Sequence, residues 1–182
     1  MKPAISYPSI SLSENELKGY LFEKWVVNQF PDKDFILREW RSDKHVGNRS
    51  ANSGMNPDLI FQCRNIDPVS CFAIECKFKT AMDEDNPQWA KEYQLRNYQN
   101  FQDRYNMPVF VALGVGGGAY CPKSFSLISL SVLQTVMAPR AVRDKFKRED
   151  FPFTRKNFVL YQSTRRPLKT KEPEYTPTWL RK

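Results

Sequence analysis

The chain has 182 residues, enough for one domain with an arm and too few for two full domains. Hydrophobic residues make up 41% and aromatic rings 14%, which excludes a disordered or collagen-like chain and allows a core rich in aromatics. The net charge of +8 points to a polyanionic partner but is unevenly spread: residues 140–182 hold thirteen basic and five acidic side chains, whereas residues 1–139 hold fifteen of each.

No run of 18 apolar residues occurs, so no transmembrane helix and no membrane partner are expected. Met1 to Ser13 lacks the basic start and apolar centre of a signal peptide. Cys63, Cys71, Cys76 and Cys121 form no CxxC pair. Neither a structural zinc nor a disulfide framework is expected, and a reducing, cytoplasmic setting fits.

Ser13-Glu14-Asn15-Glu16 reads as a capping box that starts a helix running to about Phe30. Leu17, Tyr20, Leu21, Trp25, Val27 and Phe30 are its expected buried face, and Pro31-Asp32 ends it. Phe35 to Trp40 reads as a strand, and Ser42 to Asn56, with Gly47 and Gly54, as a polar loop. Leu59 to Cys63 and Cys71 to Phe78 read as a hairpin joined by a turn over residues 64–68. In the second run Phe72, Ile74, Cys76 and Phe78 share one side, and Ala73, Glu75, Lys77 and Lys79 the other. Pro87 suits the first turn of a helix over about Gln88 to Tyr105. Strands follow at Val109 to Val115 and Phe125 to Leu130. A helix is expected over Leu133 to Lys147, broken or restarted at Pro139, and a last strand at Phe158 to Gln162. Residues 1–162 would then be one domain with a mixed sheet and packed helices. Residues 163–182, with three prolines and six basic residues, would be an extended arm.

Three acids stand out by position. Glu75 shares a strand face with Lys77. Asp58 follows Asn56-Pro57 at the mouth of the preceding strand, where a hairpin brings it near Glu75 and Lys77. Glu23 is flanked on its helix by Gly19, Tyr20, Val26, Val27 and Phe30, so it faces inward or the edge of a cleft. A buried charge without a partner costs on the order of several kcal/mol. Converging carboxylates repel and raise one another's pKa, which a divalent cation relieves. A few hard oxygen ligands suit Mg²⁺, and Lys77 beside it could orient a water and counter charge on phosphate. Taken singly, Glu-x-Lys is most often a solvated strand face, and Asn-Pro-Asp a turn.

Taken together, the spacing resembles the PD-(D/E)xK nuclease superfamily, whose core is the restriction-endonuclease-like α/β fold. Pro57-Asp58 matches the first element, Glu75-Cys76-Lys77 the second, 17 residues later, and Glu23 the acid many members carry on an earlier helix. Gln94 to Tyr98 matches a QxxxY element of RecB-like members. The resemblance covers roughly Leu17 to Leu130. It implies a Mg²⁺-dependent DNA nuclease, with Mn²⁺ as a substitute. Asp58, Glu75 and the Cys76 carbonyl would hold metal, Glu23 would act directly or through water, and Lys77 would be catalytic. Gln94 and Tyr98 would position a phosphate or its water, although Gln88, Gln99 and Gln102 make a generic polar face an alternative. Members with an iron–sulfur cluster carry one early and three late cysteines, a pattern absent here, and the Cys76 side chain is expected in the core.

An endonuclease is favoured over an exonuclease, because nothing suggests a ring or a fused motor. A homodimer is a further expectation of the resemblance, since many members dimerise to cut both strands. Arg165, Arg166, Lys169 and Lys171 in the basic arm would attract DNA backbone. The alternative from another class is a non-catalytic DNA-binding module on the same fold; a third is a basic C-terminal segment that docks a protein partner or RNA. Gly114-Val115-Gly116-Gly117-Gly118 is not followed by the helix a dinucleotide fingerprint requires, so a β-turn or close backbone approach is expected there. The single histidine, His45, excludes His-pair metal chemistry and reads as a loop residue or a DNA contact.

Overall fold

The computed structural model describes residues 13–41, 56–65, 70–81 and 88–162, with side chains up to residue 158. Most of the polar loop with His45, the turn at 66–69, Pro87 and the arm with Arg165, Arg166, Lys169 and Lys171 lie outside the described residues.

The order of elements is α1 (Glu14–Asn28), β1 (Phe35–Trp40), β2 (Leu59–Cys63), β3 (Cys71–Lys79), α2 (Glu92–Tyr105), β4 (Val109–Gly118), β5 (Cys121–Ser129), α3 (Arg140–Lys145) and α4 (Arg155–Gln162). The five strands form one mixed sheet in sequence order. Neighbours are antiparallel except β3 and β4, which run parallel because α2 carries the chain back between them. Helices flank this sheet on both faces, an α/β arrangement. Among the described residues no helix is long and apolar enough to cross a membrane.

Alternation along the strands divides the core in two. On one face Phe22 and Val26 of α1 and Phe158 of α4 pack on Leu59, Phe61, Phe72, Ile74, Ala112 and Leu127. On the other, Leu95, Tyr98 and Phe101 of α2 pack on Ile60, Ala73, Val109, Val111, Leu113 and Ile128. Val109 to Leu113 are buried without interruption, as a central strand covered on both faces requires. Phenylalanines dominate the first face: Phe30 lies 4.7 Å from Phe61 and Phe72 4.3 Å from Phe158, centroid to centroid.

α1 starts as expected, with the Ser13 hydroxyl oxygen accepting from the Glu16 amide at 3.4 Å and Glu16 accepting from the Ser13 amide at 2.8 Å. It ends at Asn28, and its buried face is rotated from the expected one. Phe22, Glu23 and Val26 point inward, with Phe30 just beyond the helix. Leu17 is 44% exposed. The rule that decides is the i, i+4, i+8 row 22–26–30, which meets the phenylalanine cluster.

Three other expectations are corrected. α2 begins at Glu92, not Gln88. Gln88 instead bridges Met137, and the Trp89 amide donates to the Val136 carbonyl at 2.9 Å, which inserts the indole into the core. The expected helix over 133–147 shrinks to Arg140–Lys145, opened by Pro139. Phe158 to Gln162 is helix, not strand. The Thr154 amide donates to Asn157 Oδ1 at 2.7 Å, and the Asn157 amide donates to Thr154 Oγ1 at 3.2 Å. That reciprocal cap starts α4 and outweighs a short apolar run that fits either element.

The glycine-rich run extends β4 rather than forming a turn by itself. It pairs with β5 up to Gly118–Cys121, and the turn proper falls at Ala119 and Tyr120. A close approach is present at Gly114, where an added Cβ would lie 2.4 Å from the Phe22 ring. Gly117 has φ +67°, and a Cβ there would meet the Cys121 carbonyl at 2.8 Å.

Candidate active site at the mouth of the second and third strands

The hairpin register places the candidate acids. Leu59 pairs with Ile74, so Asp58, one residue before, meets β3 beside Glu75 and Cys76. An Asp58 carboxylate oxygen, Oδ2, accepts from the Cys76 amide at 2.8 Å. The Glu75 and Lys77 side chains follow Ala73 onto the α2 face, as strand alternation demands. Lys77 Nζ lies 2.6 Å from Glu75 Oε1. Cys76 packs on the opposite face, as expected.

Tyr98 lies on α2 and faces Glu75. It is fully buried, and its hydroxyl donates to Glu75 Oε1 at 2.6 Å. Its ring stacks at 6.3 Å on Trp89. Gln94 also supports the fold, because its Oε1 accepts from the Lys91 amide at 3.0 Å and caps α2. The same side chain lines a cleft together with Lys77.

Glu23 reaches the site from the other face. Its Oε2 accepts from Trp40 Nε1 at 2.8 Å, and Trp40 stacks on Tyr20 at 5.7 Å. A β-bulge makes this possible. The register of β1 on β2 slips between Leu37 and Glu39, so Trp40 lands on the α1 side three residues after Leu37 instead of two. Neither Trp40 nor Arg41 stands out in the sequence. The Arg41 amide donates to the Asp58 carbonyl at 2.7 Å, its guanidinium lies 5.7 Å from the Phe101 ring, and its Nη1 is buried without a hydrogen-bond partner among the described residues. The broken alternation at Trp40 is the one signal the sequence offers for them.

Electrostatics tie these groups together. Burial, then the Glu75 and Glu23 charges, push the Asp58 carboxyl well above the usual carboxylate range, against the pull of Lys77 and the Cys76 amide. Burial works to lower the Lys77 ammonium, but the Glu75 and Asp58 carboxylates outweigh it and hold it above the ordinary lysine value. Burial raises the Tyr98 hydroxyl strongly, and the Glu75 charge adds to it, so Tyr98 stays a donor. Burial raises the Cys76 thiol well above its ordinary value, with Asp58 next in effect, so it stays neutral.

Glu75 is 2% exposed, and Tyr98 and Lys77 both engage its Oε1. Among the described residues Oε2 is buried with no hydrogen-bond partner. A buried carboxylate oxygen left bare is costly and calls for an explanation. Among the described residues no group of three or more His, Cys, Asp or Glu side chains is close enough to hold a metal ion on its own. Mg²⁺ does not need such a group, because it commonly takes one or two carboxylates and keeps its waters. Two carboxylates, one with a bare oxygen, are an all-oxygen donor set of that kind. Comparison with models of known protein families and with curated proteins finds no match.

Proposed function

We propose that the chain is a Mg²⁺-dependent DNA nuclease, an endonuclease, on a restriction-endonuclease-like core. The observation that carries the reading is the carboxylate pair Asp58–Glu75 across one hairpin mouth, with Lys77 on Glu75 and one Glu75 oxygen bare. Asp58 and Glu75 would hold the metal, with the Cys76 carbonyl, and Glu23 would act directly or through water. Bound there, Mg²⁺ would supply Lewis-acid activation of water and offset phosphate charge. Lys77, kept protonated by its carboxylate neighbours, orients the attacking water and counters the charge that develops on the phosphate. Tyr98 and Lys77 together fix the rotamer of Glu75 by holding Oε1. The Trp40 indole holds Glu23 in the same way.

The test is a cleavage panel with Mn²⁺ or Mg²⁺ on linear, supercoiled, single-stranded and branched DNA. Asp58→Ala, Glu75→Ala and Lys77→Ala are each expected to abolish cleavage while DNA binding persists. Full activity in any one of them removes that residue's assigned role and the reading with it. Calorimetric titration with Mg²⁺ separates this reading from a non-catalytic DNA-binding module, which has no reason to take up metal.

A further inference from the structure

A cleft of about 250 Å³ opens beside the candidate centre, lined by Lys77, Lys79, Gln88, Trp89, Lys91 and Gln94, with Ala90. Three of its seven lining residues are lysines and none is acidic. Lys77 is committed to Glu75, but Lys79 and Lys91 form no ion pair among the described residues. A cleft that holds uncompensated cations attracts anions and focuses their field. Gln88 Nε2 is spent on the Ala90 carbonyl and Gln94 Oε1 on the Lys91 amide. The opposite ends of both amides remain to hydrogen-bond a ligand: an acceptor on Gln88 and a donor on Gln94.

Spacing narrows the ligand. Lys77 and Lys79 lie on one face of β3, two residues apart, so they are separated by about 6.6 Å along the strand. Successive phosphates of a nucleic-acid strand are spaced on the same scale. Trp89 lines the cleft but is only 2% exposed, so among the described residues the cleft offers no open ring on which a base could stack. A cationic cleft with amide hydrogen-bonding groups fits a sugar–phosphate backbone better than a base.

We propose that this cleft seats the phosphate next to the one cleaved, with Lys79 and Lys91 as its cationic contacts, so that a single strand runs from the Asp58–Glu75 centre toward the start of α2. The proposal rests on the nuclease reading and gives it a direction along the strand.

The experiment measures binding of a short single-stranded oligonucleotide by fluorescence anisotropy over a range of NaCl concentrations, with Ca²⁺ so that no strand is cut. The variants are Lys79→Glu and Lys91→Glu, with Lys79→Gln as the milder change and thermal unfolding to check folding. Lys24→Ala, on the exposed side of α1, is the control. Losing one phosphate contact should flatten the slope of log K against log salt by about 0.7 and weaken binding about fivefold at 0.1 M salt. Unchanged slope and affinity in folded Lys79→Gln and Lys91→Glu overturn the cleft while leaving the nuclease reading intact. Absence of oligonucleotide binding by the parent chain also overturns the cleft, whereas the nuclease reading itself falls only if the parent chain cleaves none of the four kinds of DNA. Pyrophosphate that competes as well as the oligonucleotide would overturn the strand assignment, because the cleft would then recognise free phosphates alone.

Discussion

Tyr98→Phe is the sharpest test of how Glu75 is held. The substitution removes one oxygen from a fully buried ring and leaves its stacking on Trp89 in place. What disappears is the 2.6 Å hydrogen bond to Glu75 Oε1. A hydrogen bond to a charged group contributes about 1.5–3 kcal/mol. Lys77 Nζ remains on the same oxygen, so Glu75 stays partnered and the loss should lie in this range rather than above it. At about 2–4 °C per kcal/mol for a chain of this length, Tm should fall by about 3–12 °C. Urea unfolding in EDTA, followed by tryptophan fluorescence, reads the same loss as a lower midpoint at unchanged slope. In a Glu75→Gln background the acceptor is neutral, and the cost of Tyr98→Phe should shrink to about 0.5–1.5 kcal/mol. An unchanged midpoint for Tyr98→Phe, or an equal loss in both backgrounds, would refute the claim that the hydroxyl acts on the carboxylate.

Two other outcomes follow from the same geometry. Because the folded-state Asp58 pKa is raised above its ordinary 3.8, the folded chain holds the proton more tightly than the unfolded one. Stability contributed by this group is therefore greatest below about pH 4 and falls as pH rises through the folded pKa, by about 1.4 kcal/mol for each unit of the shift. Asp58→Asn keeps an acceptor for the Cys76 amide and should be more stable than the parent in EDTA at pH 7.5, with the difference vanishing near pH 4; a constant difference across that window contradicts the assignment. Gly114→Ala pushes a methyl to within 2.4 Å of a phenyl ring that is itself fully enclosed, and should destabilise by about 1–3 kcal/mol in chemical denaturation. A neutral result would show that Phe22 has room to move.

The hairpin is legible in the sequence because strand alternation is rigid. With Phe72, Ile74 and Cys76 on one face, Glu75 and Lys77 can only lie on the other, and an antiparallel partner brings Asp58 beside them. Other parts are hidden for physical reasons. α2 starts late because Trp89 is anchored by residues nearly fifty positions away, through Val136 and Thr135, and no local pattern carries that contact. α4 reads as a strand because Phe158 to Tyr161 is too short for either period to be decisive, although the Thr154–Asn157 cap is present in the sequence. The side-chain partner of Tyr98 is hidden for a similar reason: helix spacing gives the face, but depth of burial decides which group on that face the hydroxyl meets.

The extra residue at Arg38 sets the parity of β1. Ahead of it, Phe35 and Leu37 turn toward α1; behind it, Trp40 does, while Glu39 and Arg41 turn toward α2. Smoothing out the bulge with Arg38 kept in the ladder would restore strict alternation and send every later side chain of the strand through half a rotation. Counting from the strand start, the carboxylate of Glu39 would then take the α1 side among phenylalanines, and the indole would swing away from Glu23. A strand that is otherwise an ordinary edge of the sheet thus works as a phase shifter, and the reach of α1 into the carboxylate cluster depends on its one irregular step.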